Sequence, residues 1–172
     1  MANIANDPAV ELNPTLSWEV NVLAGQQLID KAVKSGVSQF IFASSGSVYG
    51  IKKERFVHED LNLDPISLYN KTKMCSERVV LSFKEELNVK VIRPATVCGY
   101  SPRMRFDVSV NALTSSAFLN KKIIVQGGDQ IRPNIHIDDI TDIYLHFIDY
   151  PKHTGVFNAG FENITVGDIL DE

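Results

Sequence analysis

The chain has 172 residues, of which 44% are hydrophobic and 22% charged, a balance that fits a soluble globular chain of one domain. Its net charge of −4 argues against a nucleic-acid partner or an anionic membrane surface. No run of about 18 apolar residues and no signal-peptide pattern occurs, so a cytoplasmic protein is expected, and Cys75 and Cys98 lack metal or redox spacing and read as buried thiols.

In chain order, Asn6-Asp7-Pro8 signals a turn. The apolar series from Leu16 through Leu23, Leu28, Ile29, Ala32 and Val33 predicts one long amphipathic helix, which Ser35-Gly36 ends. Residues 39–43 are a short apolar run stopping at hydroxyls and glycines, the pattern of a buried parallel strand that delivers side chains at its carboxyl end. A charged loop over residues 51–65 leads to a helix from Tyr69 to about Leu87. Residues 88–94 read as the next parallel strand, with Thr96, Gly99 and Pro102 in the loop at its carboxyl edge.

Further on, Asp107 is placed to cap a helix over 108–119, and Ile123-Ile124-Val125 reads as a short strand before the turn at 126–129. Residues 132–137 form another extended run, Asp138 is placed to cap a helix over 140–150, residues 155–159 form a last strand, and 165–170 open a helix. The fold class is therefore α/β: a partial Rossmann-like, doubly wound parallel sheet with elements of a small substrate-binding region. The boundary falls near 102, giving regions 1–102 and 103–172.

Tyr69 and Lys73 stand four apart, on one face of the predicted helix. An ammonium beside a phenol makes it useful for proton transfer near neutrality, and Ser45, at the strand end, can hydrogen-bond the same oxygen. Taken alone, this spacing more commonly describes a solvated helix face. A second Tyr-x-x-x-Lys, Tyr49 to Lys53, begins beside Gly50 in a loop where helical spacing has no meaning.

The ordered combination of a strand, Ser44-Ser45-x-x-Val48-Tyr49-Gly50 and Tyr69-x-x-x-Lys73 resembles the extended short-chain dehydrogenase/reductases, specifically the nucleotide-sugar epimerase and dehydratase family. The resemblance covers nearly the whole chain. It implies Ser45, Tyr69 and Lys73 as catalytic residues and NAD as cofactor, with NADP left open. Tyr69 and Lys73 would also hold the nicotinamide ribose, with Ser44, Asn21 and Pro94 on the cofactor side. Residues 93–99 resemble the Arg-Pro-x-Asn-Val-x-Gly stretch, with Thr96 in place of the usual Asn, and residues 132–139 resemble Arg-x-x-x-His-x-Asp-Asp. Ser45, Thr96, Asn111 and Arg132 are thereby candidate contacts to a nucleotide-sugar substrate, Arg132 on its diphosphate.

Simpler readings stand beside these: Arg132 paired with Asp138 or Asp139, Asn21 and Asn111 as helix-surface amides, and His136 as a structural histidine rather than a metal ligand. The resemblance also implies a homodimer through the helices at 16–35 and 68–87. Dehydratases of the family commonly carry an acidic pair or a Glu where this chain has Gly46 and Ser47, which disfavours 4,6-dehydration and leaves epimerisation or a related redox step. In epimerisation Tyr69 takes a sugar hydroxyl proton as hydride passes to NAD, and hydride returns to the other face. A nucleotide-sugar ketoreductase using NADPH and an inactive oligomerising scaffold are the alternatives. No Gly-x-x-Gly-x-x-Gly or Gly-x-Gly-x-x-Gly occurs among the 10 glycines, so the chain reads as part of a larger enzyme, inactive alone.

Overall fold

A computed structural model of the protein describes residues 3–54, 56–125 and 127–170. Gln126, in the predicted turn, lies outside them. The fold is α/β and falls into two units. The first comprises the chain through Arg93 and again Phe147–Asn158, and the second comprises Pro94–His146 and the chain from Ala159.

The first unit opens on α1 (Asp7–Leu12), where a turn is predicted. Asn6 caps it by accepting the Ala9 N–H, and Pro8 sits in the first turn, where a missing N–H costs nothing. The predicted long helix is three pieces: α2 (Pro14–Trp18), a π-helical turn (Glu19–Leu23) and α3 (Ala24–Lys34). A π turn adds one residue to the cycle and shifts the face that follows, and of the predicted apolar face Ile29 is buried while Leu16, Leu23 and Leu28 stay exposed. Ser35 and then Gly36, at φ +70°, close α3 as expected.

Strands β1 (Gln39–Ala43) and β2 (Asn88–Pro94) form where predicted and pair in parallel, with β5 (Gly155–Ala159) on the far side of β2. Helix α4 (Leu68–Leu81) joins β1 to β2 and ends six residues earlier than expected. The Ser82 hydroxyl donates back to the Val79 carbonyl, and residues 83, 84 and 86 continue in i→i+3 bonds. That tighter winding turns Leu87 into the core. Ile29, Phe42, Val80, Leu87, Val89 and Val91 make this core between the helices and the sheet.

In the second unit the sequence expectation fails more often. Thr96–Cys98, predicted as loop, is strand β3; it pairs in parallel with β4 (Ile131–His136), which pairs antiparallel with β6 (Glu162–Thr165). Residues 123–125 form no strand; they find no ladder partner among the described residues, and Ile124 stays exposed. Helix α5 (Ser109–Asn120) starts one residue later than predicted, so Val108, which has no side-chain acceptor, stands at its N-cap, and the Asp107 carboxylate is held instead by the Arg105 guanidinium at 2.7 and 2.9 Å. The hydrogen bond from Arg105 also holds that carboxyl below its ordinary range.

Helix α6 (Ile137–Asp149) begins three residues before the predicted start, so Asp138 and Asp139 occupy its first turn, where carboxylates favour the helix dipole. Beyond β6, a 3-10 turn (Asp168–Leu170) stands where a helix was expected. Thr165 and Asp168 exchange side-chain to backbone bonds across it, as at the start of a helix. Both cysteines are free and half-buried rather than fully buried. Burial nonetheless pushes the Cys98 thiol up. No helix among the described residues is long and apolar enough to cross a membrane.

Candidate active site

Parallel strands release their side chains at the carboxyl end, and β1 does so at Ser44 and Ser45. Ser45 caps a 3-10 turn (Gly46–Tyr49) by accepting the Ser47 N–H. The Ser45 and Ser47 hydroxyls share a hydrogen bond of 2.7 Å, and Ser47 Oγ donates to Asn70 Oδ1 at 2.5 Å. Ser45 is thereby tied, through one hydroxyl, to the residue that follows Tyr69. Ser67 caps α4 by accepting the Asn70 N–H, which fixes where the helix starts and so where Tyr69 stands.

Tyr69, Lys73 and Glu77 follow one another at four-residue steps, a single stripe of α4. Lys73 is only 6% exposed, and its Nζ donates to the Ala43 carbonyl at 2.8 Å. The ammonium lies 5.7 Å from the Tyr69 ring centroid and 5.2 Å from that of Phe42. Burial lowers its pKa to about 8, against a smaller raising effect of the Glu77 charge. Lys73 is thus poised near neutrality beside the phenol, which an exposed lysine is not.

The Lys73 pKa carries a prediction for stability. Below about pH 8 the lysine is protonated folded and unfolded, and folding bears the full cost of burying its charge. Between about 8 and the ordinary 10.5 the unfolded chain holds more protons, so this group makes stability rise with pH by roughly 3 kcal/mol. Urea unfolding of the wild type and Lys73→Met across pH 7–10 should show that rise only in the wild type; parallel curves would refute the depressed value.

Asn21 sits in the π-helical turn, 2% exposed, and its amide is engaged inside the protein. It accepts the Ile4 N–H, donates to the Ile4 carbonyl, and donates to Thr72 Oγ1 at 3.1 Å. Thr72 Oγ1 in turn donates to the Tyr69 carbonyl, and Ser76 Oγ donates to the Asn21 carbonyl. Asn21 is therefore a brace between the chain start and α4, not a surface amide.

Ser44 donates to Glu77, which Arg93 grips with Nε and Nη2 at 2.7–3.3 Å. Arg93 Nη1 donates to the Tyr49 hydroxyl at 2.6 Å, and that hydroxyl donates to Asn158 Oδ1. The loop after the 3-10 turn closes on the same residues: Glu59 accepts the Asn158 N–H, and its carbonyl accepts from Arg93. Sequence reasoning gave no role to Glu77, Tyr49, Glu59 or Asn158. A signal existed for the first, since a carboxylate one turn past Lys73 on the same stripe and a guanidinium ending the strand series Val89, Val91, Arg93 each need a buried partner.

The second unit holds the other candidates. Pro94 ends β2, and Thr96 in β3 registers with Asn134. Asn111 is buried and spans two loop backbones, accepting the Gly99 N–H and donating to the Arg105 carbonyl. Arg132 is exposed on β4 and donates to Gln130 rather than to Asp138 or Asp139. His136 Nδ1 lies 3.5 Å from Asp138, and no cluster of three metal-binding side chains occurs among the described residues.

Residues 1–160 match the model of the NAD dependent epimerase/dehydratase family. A UDP-glucose epimerase of Bacillus subtilis (strain 168), YtcB, itself uncharacterized, is 30% identical over 120 residues, 69% of this chain and 38% of that protein. The solved structure of MoeE5 in complex with UDP-glucuronic acid and NAD superposes on 99% of this chain and 58% of its own, with TM-score 0.87 and 28% identity. A UDP-N-acetylglucosamine 4-epimerase from Methanobrevibacter ruminantium M1, in complex with UDP-N-acetylmuramic acid, covers 99% of this chain and 57% of its own at TM-score 0.85 and 25% identity. The chain spans 34% to 47% of the length of three curated relatives it matches.

Proposed function

Since this chain belongs to the NAD-dependent epimerase/dehydratase family, we propose that it carries the proton-transfer machinery of a nucleotide-sugar epimerase-like enzyme. The observation that supports this most is the buried Lys73 ammonium, held at the Ala43 carbonyl one helical turn from Tyr69. Tyr69 takes the proton of the sugar hydroxyl and returns it, Lys73 stabilises the phenolate that forms in between, and Ser45 orients the hydroxyl.

The residues fit the nicotinamide ribose of NAD. Among the described residues Lys73 makes one hydrogen bond, to Ala43, and an ammonium has three donors, so two remain for ribose hydroxyls. Tyr69, Lys73 and Pro94 would hold the group, while Ser44 and Asn21 support the site from behind, their side chains being engaged with Glu77, Ile4 and Thr72. When bound, NAD supplies a reversible hydride acceptor. On the substrate side, Arg132 takes the diphosphate, and Thr96 and Asn111 border the sugar nucleotide, Asn111 by fixing the Gly99 loop. Ser47, at a position where dehydratases of the family carry an acidic group, spends its hydroxyl on Asn70, which supports epimerisation over elimination of water. A second copy covering the exposed Leu16, Leu23 and Leu28 completes the reading.

The test is to load the complete enzyme with NAD, add UDP-glucose or UDP-glucuronic acid, and follow the sugar by NMR. An epimer formed without net cofactor consumption is the expected result. Stoichiometric consumption of NADPH with a keto sugar would assign the ketoreductase reading instead. No turnover and no NAD binding, with stable self-association, would assign the scaffold.

A further inference from the structure

The buried charges along α4 present a choice that the geometry has already made. Lys73 and Glu77 are one turn apart on the same stripe, both almost fully buried, and would ordinarily collapse into an ion pair. They do not. Both Glu77 oxygens are taken by Arg93 and Ser44, and the Lys73 ammonium donates to Ala43.

We infer that Glu77, clamped by Arg93, is a positioning residue: it keeps Lys73 charged without capturing it, so that the ammonium stays at Ala43 and Tyr69. The functional meaning of this rests on the proposed proton-transfer role of Tyr69 and Lys73. Arg93 is suited to the task because its fork occupies two acceptor directions at once, which a point charge cannot do. Hydrogen bonds and charge from Glu77 and Tyr49 keep the guanidinium protonated despite the opposing effect of burial. The groups facing Lys73 are Tyr69 and Glu77 on its own helix, and the Ala43 carbonyl and Phe42 ring on β1. Arg93 on β2, Ser44 and Tyr49 act through Glu77.

The test reads the charge of Lys73 directly, by carbon NMR titration of its Cε resonance in the 172-residue chain, assigned from its absence in Lys73→Met. Glu77→Gln keeps the shape and the acceptor for Ser44 but removes the negative charge, so the Lys73 midpoint should fall by roughly one pH unit. Glu77→Asp, which keeps the charge, should move it far less. A midpoint unchanged in Glu77→Gln, or displaced alike in both variants, would overturn the inference.

Arg93→Lys supplies the second variant should Glu77→Gln not fold. It keeps a positive charge but loses the fork, so the released carboxylate should close on Lys73 and raise its midpoint; an unmoved midpoint again overturns the inference. Because none of these readings uses turnover, the expected shifts in this chain beside an inactive complete enzyme would remove the epimerase reading and leave the clamp standing.

Discussion

Replacing Arg93 with Met should cost about 3–5 kcal/mol of folding stability, the usual penalty for stranding one half of a buried ion pair. Glu77 is 1% exposed and Arg93 5%, so neither has water to fall back on. The substitution also takes a donor from the Tyr49 hydroxyl and from the Glu59 carbonyl, loosening the loop that folds over Asn158. A domain of this size has roughly 5–15 kcal/mol in hand, and the loss is a large part of it. Adding Glu77→Leu to Arg93→Met should restore most of the stability, because a well-packed apolar pair is often as stable as the charges it replaces. Urea unfolding of the three proteins checks this. A single variant as stable as the wild type, or a double variant no better than the single, would show that the pair is not the strut described.

Tyr69→Phe should lower kcat in the NAD-loaded enzyme by about 10²–10⁴-fold, the usual worth of a general acid-base group, with KM for the sugar nucleotide changed little. Phe keeps the ring beside Lys73 and removes only the hydroxyl, so the fold and the Lys73 environment should survive. The measurement is steady-state epimerisation together with unfolding of the same sample. A wild-type kcat in a folded variant would remove Tyr69 from the chemistry. A fall in kcat matched by a collapse in stability would instead make it a packing residue.

Tyr69 and Lys73 are marked in the sequence in a way that Glu77 and Arg93 are not. Tyr69 and Lys73 could be found because four-residue spacing is a local property of a helix, and because the hydroxyl-rich end of a short apolar strand precedes them. The strands at 39–43, 88–94 and 155–159 are equally local signals and coincide with their apolar runs. Local signals misled where a competing partner existed. Asp107 has the chemistry of a cap, yet Arg105 two residues earlier claims it. Thr96–Cys98 reads as a loop until β4 supplies a ladder from 38 residues further along, as in the register of Thr96 with Asn134.

Sequence by itself determined the α/β class, the parallel strands at 39–43 and 88–94, the strand at 155–159 and the Tyr69–Lys73 stripe, all of which depend on neighbours within a turn or a strand's length. Tertiary structure alone decided that Glu77 meets Arg93 across 16 residues, that Asn21 braces Thr72 across 51, and that Tyr49 reaches Asn158 across 109. Those pairs form because burial removes water as an alternative partner and each polar group must then find another. Composition and periodicity do not encode which one it finds.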